Sequence, residues 1–170
     1  MSTSDNITAT DTSHLQRCLV LAREALEEGD QPFGSVLIGT DGQELFADRN
    51  RVSGGDPTRH PEFAIARWAA ANLTAEQRAR ATVYTSGEHC PMCAAAHAMV
   101  GLGRIVYASS TAQLKTWRMQ WGIDSGPVSP LSIQQIAPDV VVDGPDATLS
   151  LEVRQLQAQY HGVSTEQQSV

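Results

Sequence analysis

At 170 residues and 18.3 kDa the chain is the size of one domain, not two. Hydrophobic residues make up 41% and charged residues 18%, which excludes the composition of a disordered protein and predicts a buried core. Twelve Lys and Arg stand against 19 Asp and Glu, a net charge of -7 with no basic stripe. Nucleic-acid binding needs a basic face, so a polyanionic substrate is disfavoured and a small, weakly charged one fits better.

Residues 1–12 are almost wholly polar and are expected to form a disordered tail without the layout of a secretion signal. No apolar run reaches the roughly 18 residues that span a bilayer. A cytoplasmic location is therefore expected. From Ser13, an N-cap candidate, Leu15, Cys18, Leu19, Ala22, Ala25 and Leu26 recur at helical spacing until Gly29. Cys18 lies on that stripe and reads as a small buried hydrophobe. Phe33 to Ile38 and Glu44 to Asp48 read as an antiparallel strand pair around Asp41-Gly42.

A loop over 53–59 leads to a helix from Pro61 to Asn72, with Pro suited to the first helical position and His60 at the N-terminus. Thr74 and Gln77 form a capping box, and Val83 to Thr85 centres a strand. The helix from Pro91 to Leu102 is so rich in small and apolar residues that burial on most sides is expected. Next come a strand at Ile105 to Ala108, a helix at Thr111 to Trp121, a helical turn at Pro130 to Ile136, a strand at Val140 to Val142 and a helix at Leu149 to Tyr160. Residues 161–170 read as a polar tail. Five strands alternating with helices that must each bury one face imply a single α/β domain over 13–160, a three-layer α/β/α sandwich with a mixed sheet.

Two clusters carry chemistry: His60-Pro61-Glu62 and Cys90-Pro91-Met92-Cys93. The C-x-x-C at a helix start sets two sulfurs within one turn at the positive end of the helix dipole, which favours thiolates. With His60 aimed into the same place, one nitrogen and two sulfurs supply three zinc ligands and leave a fourth position for water, the pattern of a catalytic zinc. Glu62, two residues from a ligand, is then the proton carrier. Two other readings of the cysteines stand beside this one. A strand leading into C-P-x-C is also the setting of a thioredoxin-like redox pair, though that leaves His60 and Glu62 unexplained. A closed structural zinc would use His89 or His97 as its fourth ligand, whereas a lone His on an apolar helix is more often a hydrogen-bonded core residue.

H-x-E followed by P-C-x-x-C is the signature of zinc-dependent nucleobase deaminases. The stretch from Pro32-Phe33-Gly34 through Asn50, Asp56-Pro57-Thr58 and Tyr84-Thr85-Ser86 to Cys93, and on to Ile123-Asp124-Ser125, resembles the bacterial guanine deaminases of the cytidine deaminase-like superfamily. The resemblance implies zinc on His60, Cys90 and Cys93, proton transfer by Glu62, substrate binding by Asn50, and binding with proton transfer by Asp124. Phe33 and His60 are further candidate substrate contacts. On their own residues, Asn50 reads as a turn residue and Asp124 as a loop or capping carboxylate. His89 stands where the family has Pro, Pro61 replaces a commoner small residue, and Met99 falls where guanine deaminases place an aromatic near the base. Met99 in a pocket would make that pocket adaptable.

The expected activity is hydrolytic deamination of a free nucleobase or related amino-substituted ring, guanine-like and extending to cytosine-like or triazine rings, with release of ammonia. A tRNA adenosine editing deaminase shares both clusters, and the acidic charge disfavours it. A homodimer is implied by the resemblance, with the Trp117 and Trp121 stripe as candidate apolar surface or, alternatively, core. Guanine deaminases exchange a C-terminal segment between subunits, whereas here the chain after Tyr160 is polar and matches weakly.

Overall fold

The computed structural model describes residues 6–164. The elements are α1 (Ala9–Glu27), β1 (Gly34–Ile38), β2 (Glu44–Arg49), a 3-10 turn at Val52–Gly54, α2 (Pro61–Asn72), α3 (Ala75–Arg80), β3 (Thr82–Gly87), α4 (Pro91–Met99), β4 (Ile105–Ser109), α5 (Thr111–Trp121), α6 (Ile133–Ile136), β5 (Val142–Asp143) and α7 (Leu149–Tyr160). The sheet order is β2-β1-β3-β4-β5. Both pairings of β1 are antiparallel, whereas β3–β4 and β4–β5 are parallel. The expected mixed five-stranded sandwich is the observed fold.

Side-chain alternation along the strands assigns the two helical layers. On one face Val36, Ile38, Tyr84, Val106 and Ala108 meet Leu15, Cys18 and Leu19 of α1, Val153 of α7 and Trp117 of α5. On the other, Leu37 and Val83 meet Ile65, Ala66 and Ala69 of α2. Ile105 and Tyr107 meet Ala94 of α4 and Ile133 of α6 on that side. Cys18 is fully buried, as its place on the stripe implied. Contact between α1 and the sheet is so close that a Cβ on Gly34 would run into the Cys18 carbonyl and Leu21.

Several boundaries differ from the sequence reading. The first helix is capped not by Ser13 but by Thr8, in a capping box with Asp11, so residues 9–12 are helix rather than tail. Asp11 is buried, a role set by a residue 93 positions away: Arg104 donates to it at 2.8 and 3.2 Å and to Asp143 at 2.7 Å. Tyr84 adds its hydroxyl at 2.7 Å. The first helix is thereby pinned to β3, to the start of β4 and to β5. The remaining tail assignments, 1–5 and 165–170, fall outside the described residues.

Two other expectations change. The fourth helix stops at Met99, with Val100 as C-cap and Gly101 at positive φ, rather than at Leu102. Among its residues only Cys93, Ala94 and His97 are buried, so it is covered on one side, not on most. Trp117 belongs to the core, with Leu114 and Trp121 packed against it, so the tryptophans are not free docking surface. No helix of the described residues is long and apolar enough to cross a membrane.

Burial would raise the Asp11 carboxyl, but hydrogen bonds from Arg104, Thr8 and Tyr84 overcome it and hold the group well below the ordinary carboxylate range. A group depressed on folding contributes stability above its unfolded pKa, about 3.9, and loses it as pH falls through the folded value. Asp11→Asn should therefore cost about 2 kcal/mol at pH 7 in urea unfolding. That deficit should shrink as the pH falls below about 4.

Candidate active site

Two helices begin at one point. His60 is the N-cap of α2 and Cys90 the N-cap of α4, each followed by Pro at the first helical position. The two helices lie side by side on one face of the sheet. His60 Nδ1 is thereby 3.5 Å from Cys90 Sγ and 3.6 Å from Cys93 Sγ. All three candidate ligand atoms lie within 4.8 Å of one another, and among the described residues no fourth His, Cys, Asp or Glu joins them. A tetrahedral zinc with bonds of about 2.05 Å to nitrogen and 2.3 Å to sulfur sets N and S about 3.5 Å apart, so the spacing fits the ion. The His60 ring also hydrogen-bonds the Pro57 carbonyl, the outer contact that orients a ligating imidazole.

The charge state suits a cation. Hydrogen bonds from Cys93 and His60 bring the Cys90 thiol down to about 4, against the effect of burial. Cys93 is held up by the Cys90 thiolate and by burial; a divalent cation between the sulfurs relieves that repulsion. Glu62, 6% exposed, has its carboxyl raised by burial, with His60 and the Thr85 hydroxyl pulling the other way.

Glu62 is held by two residues that the sequence reading did not single out. Its Oε1 accepts from Ser35 Oγ at 3.0 Å and from Thr85 Oγ1 at 2.8 Å. Ser35 and Thr85 are register partners across β1 and β3, and both are fully buried. Polar residues facing inward from otherwise apolar strands were the available signal.

The cluster opens into a pocket of about 640 Å³ whose lining includes Phe33, Asn50, His60, Glu62, Cys90 and Asp124. Five of the predicted site residues therefore surround the cluster's opening with Glu62, while Cys93 is buried behind it. Phe33 lies against Gly87, where a Cβ would press on its ring. Asn50 is buried; its Nδ2 donates to the Gln31 carbonyl at 3.3 Å, and its Oδ1 has no protein partner. That leaves an acceptor for a ligand to satisfy. Asp124 is exposed on the pocket wall and accepts from Gly126 N at 3.0 Å, the local bond of a loop carboxylate and not a helix cap.

Met99 is 86% exposed at the end of α4 and does not line the pocket, which removes the expectation that it makes the site adaptable. His97 Nε2 donates to the Gly103 carbonyl at 2.7 Å, a hydrogen-bonded core residue, and His89 is buried edge-on to it at 5.4 Å. Neither completes a closed four-ligand site.

Glu88, two residues before the cysteine cluster, was also missed. Its Oε2 accepts from Thr111 N at 2.7 Å and its Oε1 from Ile133 N at 2.9 Å, so one carboxylate caps the starts of both α5 and α6. The segment between those helices, which carries Asp124, is thereby tied to the cysteine loop. Tyr160 and His161, at the boundary with the expected tail, form pocket wall in their own chain. Only the folded path of α7 reveals that.

An α/β/α sandwich bearing a His-Cys-Cys zinc site with a neighbouring buried Glu defines a zinc-dependent deaminase, a hydrolase acting on C–N bonds. The chain belongs to the family of the cytidine and deoxycytidylate deaminase zinc-binding region, whose model matches residues 8–109. It is 29% identical over 113 residues to a probable cytosine deaminase of Schizosaccharomyces pombe, covering 65% of this chain and 67% of that one. With a tRNA-specific adenosine deaminase of Agrobacterium fabrum it shares 35% over 99 residues, 58% of this chain and 64% of the relative. Its fold is similar to the guanine deaminase of Nitrosomonas europaea, with a TM-score of 0.69 at 21% identity over 94% of this chain and 90% of that one. Family membership favours zinc over the redox reading of the cysteine pair.

Two outcomes test the site. Cys93→Ser and His60→Ala should each reduce zinc from about one per chain to under about a tenth by elemental analysis, while Cys18→Ser keeps it. Glu88→Ala should retain zinc but lower stability by about 2 kcal/mol, since two helix-terminal N–H groups lose their acceptor.

Proposed function

We propose that the chain hydrolytically deaminates a free nucleobase or a related amino-substituted heteroaromatic ring, with release of ammonia. The observation that carries this reading is the convergence of His60, Cys90, Cys93 and Glu62 at the floor of a pocket whose lining includes Phe33 and Asn50, the latter with a buried, unpartnered Oδ1. Phe33 offers an aromatic surface to a planar ring. Asn50 Oδ1 accepts from a ring N–H or amine, and Asp124 supplies a second acceptor from the wall.

Zinc on the three ligands supplies a water acidic enough to act as nucleophile near neutral pH. Glu62 moves the protons: it takes one from the attacking water and passes it to the ring nitrogen, then takes a second from the hydroxyl added to the ring carbon and passes it to the departing amine. In the balance, ring N=C–NH2 and water become ring HN–C=O and ammonia. Ser35 and Thr85 fix Oε1 of Glu62, which leaves Oε2 to carry the transfer. The relatives act on cytosine, guanine or a tRNA adenosine by name, so the ring itself is decided by assay. Net charge of -7 favours the free ring over tRNA.

A cytoplasmic location and a homodimer belong to the same proposal. The tryptophans of α5 being core, the apolar surface left for a partner includes Met99 and Met119, 86% and 70% exposed. Light scattering should give twice the chain mass.

Ammonia release across free bases, amino-triazines, nucleosides and tRNA tests the activity, and turnover of tRNA alone would overturn the free-ring reading. Glu62→Gln should keep its zinc and lose at least about 100-fold in kcat. Asn50→Ala should raise KM about tenfold, the loss of roughly one ligand hydrogen bond, with zinc content unchanged.

A further inference from the structure

Away from the zinc ligands, the pocket wall is made by one face of α5 and the end of α7. Thr111, Leu114, Lys115 and Arg118 line it at helical spacing, and His161 joins them. This stretch holds the chain's single lysine and one of its eleven arginines.

Arg118 is partly buried, and its Nε is fully buried without a hydrogen-bond partner. None of the ion pairs among the described residues includes it. Burial alone acts on its guanidinium, with no anion opposing it. Two more polar atoms nearby are buried and unpartnered: Trp121 Nε1 and His161 Nε2, on rings whose centroids are 6.4 Å apart. Arg154 adds a fourth basic group, stacked over Trp121 at 5.8 Å.

The carboxylates of the pocket are committed elsewhere. Glu62 accepts from Ser35 and Thr85, Glu88 from two backbone amides, and Asp124 from Gly126. Proteins rarely leave a desolvated cation without a counter-charge, because the loss of hydration is then uncompensated. A cation left so in a ligand pocket points to an anion on the ligand. The volume agrees: about 640 Å³ lies in the range that encloses a drug-sized ligand and exceeds what a bare ring fills.

We propose that the ring carries an anionic oxygen group, a carboxylate or a phosphate monoester, which Arg118 binds with help from Lys115, its neighbour on the pocket wall. Arg118 is then a specificity residue: its planar fork suits either oxyanion, and it touches the substituent rather than the reacting carbon. This inference rests on the deaminase reading for its substrate class. It replaces the expectation of a weakly charged substrate, since this wall of the pocket sets two cations, Lys115 and Arg118, side by side on α5.

The test uses the zinc-loaded protein and matched pairs: deoxycytidine against dCMP for phosphate, pterin against pterin-6-carboxylate for carboxylate. Ammonia release should show kcat/KM at least about tenfold higher for one anionic member, expressed mainly in KM. Arg118→Gln should abolish that preference with zinc content and the neutral partner's kcat within about twofold, and Arg118→Lys should keep part of it. Equal use of both members, or a preference that survives Arg118→Gln, overturns the proposal. Should no ring be deaminated, the deaminase reading fails separately, and the anion site is judged by tryptophan fluorescence during titration with inorganic phosphate and with benzoate. Saturable binding to either, lost in Arg118→Gln, supports the site; no binding overturns it. Affinity that rises in Glu166→Gln shows a carboxylate of the chain's own end at the site, and likewise overturns it.

Discussion

The meeting of two helix N-termini is the constraint on which the rest of the site depends. His60 and Cys90 each stand at the turn from extended chain to helix, and each is followed by a proline whose fixed φ suits the first helical position. Both residues are therefore placed by backbone rather than by a long, mobile side chain. Positive helix ends stabilise a thiolate there, and Cys93, one turn into α4, completes the triangle. Packing of Ile65 and Ala69 against Leu37 and Val83, and of Ala94 against Ile105 and Tyr107, holds both helices to one face of the sheet. A change in that packing moves the ligands before it touches any of them.

Beside the metal triangle the protein buries a carboxylate, an arrangement that costs free energy unless its lone pairs are used. The end of the sheet supplies what is needed. Ser35 and Thr85 reach Glu62, and Ser86 Oγ accepts from Gly34 N at 3.1 Å. Ser109 Oγ in turn donates to the Ser86 carbonyl at 2.8 Å. Three strands that are otherwise apolar thus turn polar where they approach the site. The Asp11–Arg104 pair does a structural task at some distance, holding the first helix onto the sheet.

What the sequence disclosed follows the range of the interactions involved. His60 with Glu62, and Cys90 with Cys93, are legible because each pair acts through neighbours a few residues apart, and capping boxes such as Thr74 with Gln77 are local for the same reason. Asp11 was hidden because its meaning comes from Arg104, far along the chain. Met99 was misplaced because motif position does not tell which side of a helix faces the pocket. Glu88 and His161 act through backbone amides and wall positions that exist only after α5, α6 and α7 have packed. Arg118 shows the same limit for charge: whole-chain totals describe the average surface, whereas a pocket responds to the few groups that line it.

The central claim is that one open metal position, served by Glu62, faces a ring held in this pocket. Diffraction at the zinc edge from crystals grown with a slowly turned-over ring analogue tests it most directly. The account predicts one anomalous peak about 2.0–2.4 Å from His60 Nδ1, Cys90 Sγ and Cys93 Sγ, with no other protein ligand and with the ring between Phe33 and Asn50. A fourth protein ligand on the metal, or a ring bound away from Glu62, would contradict it.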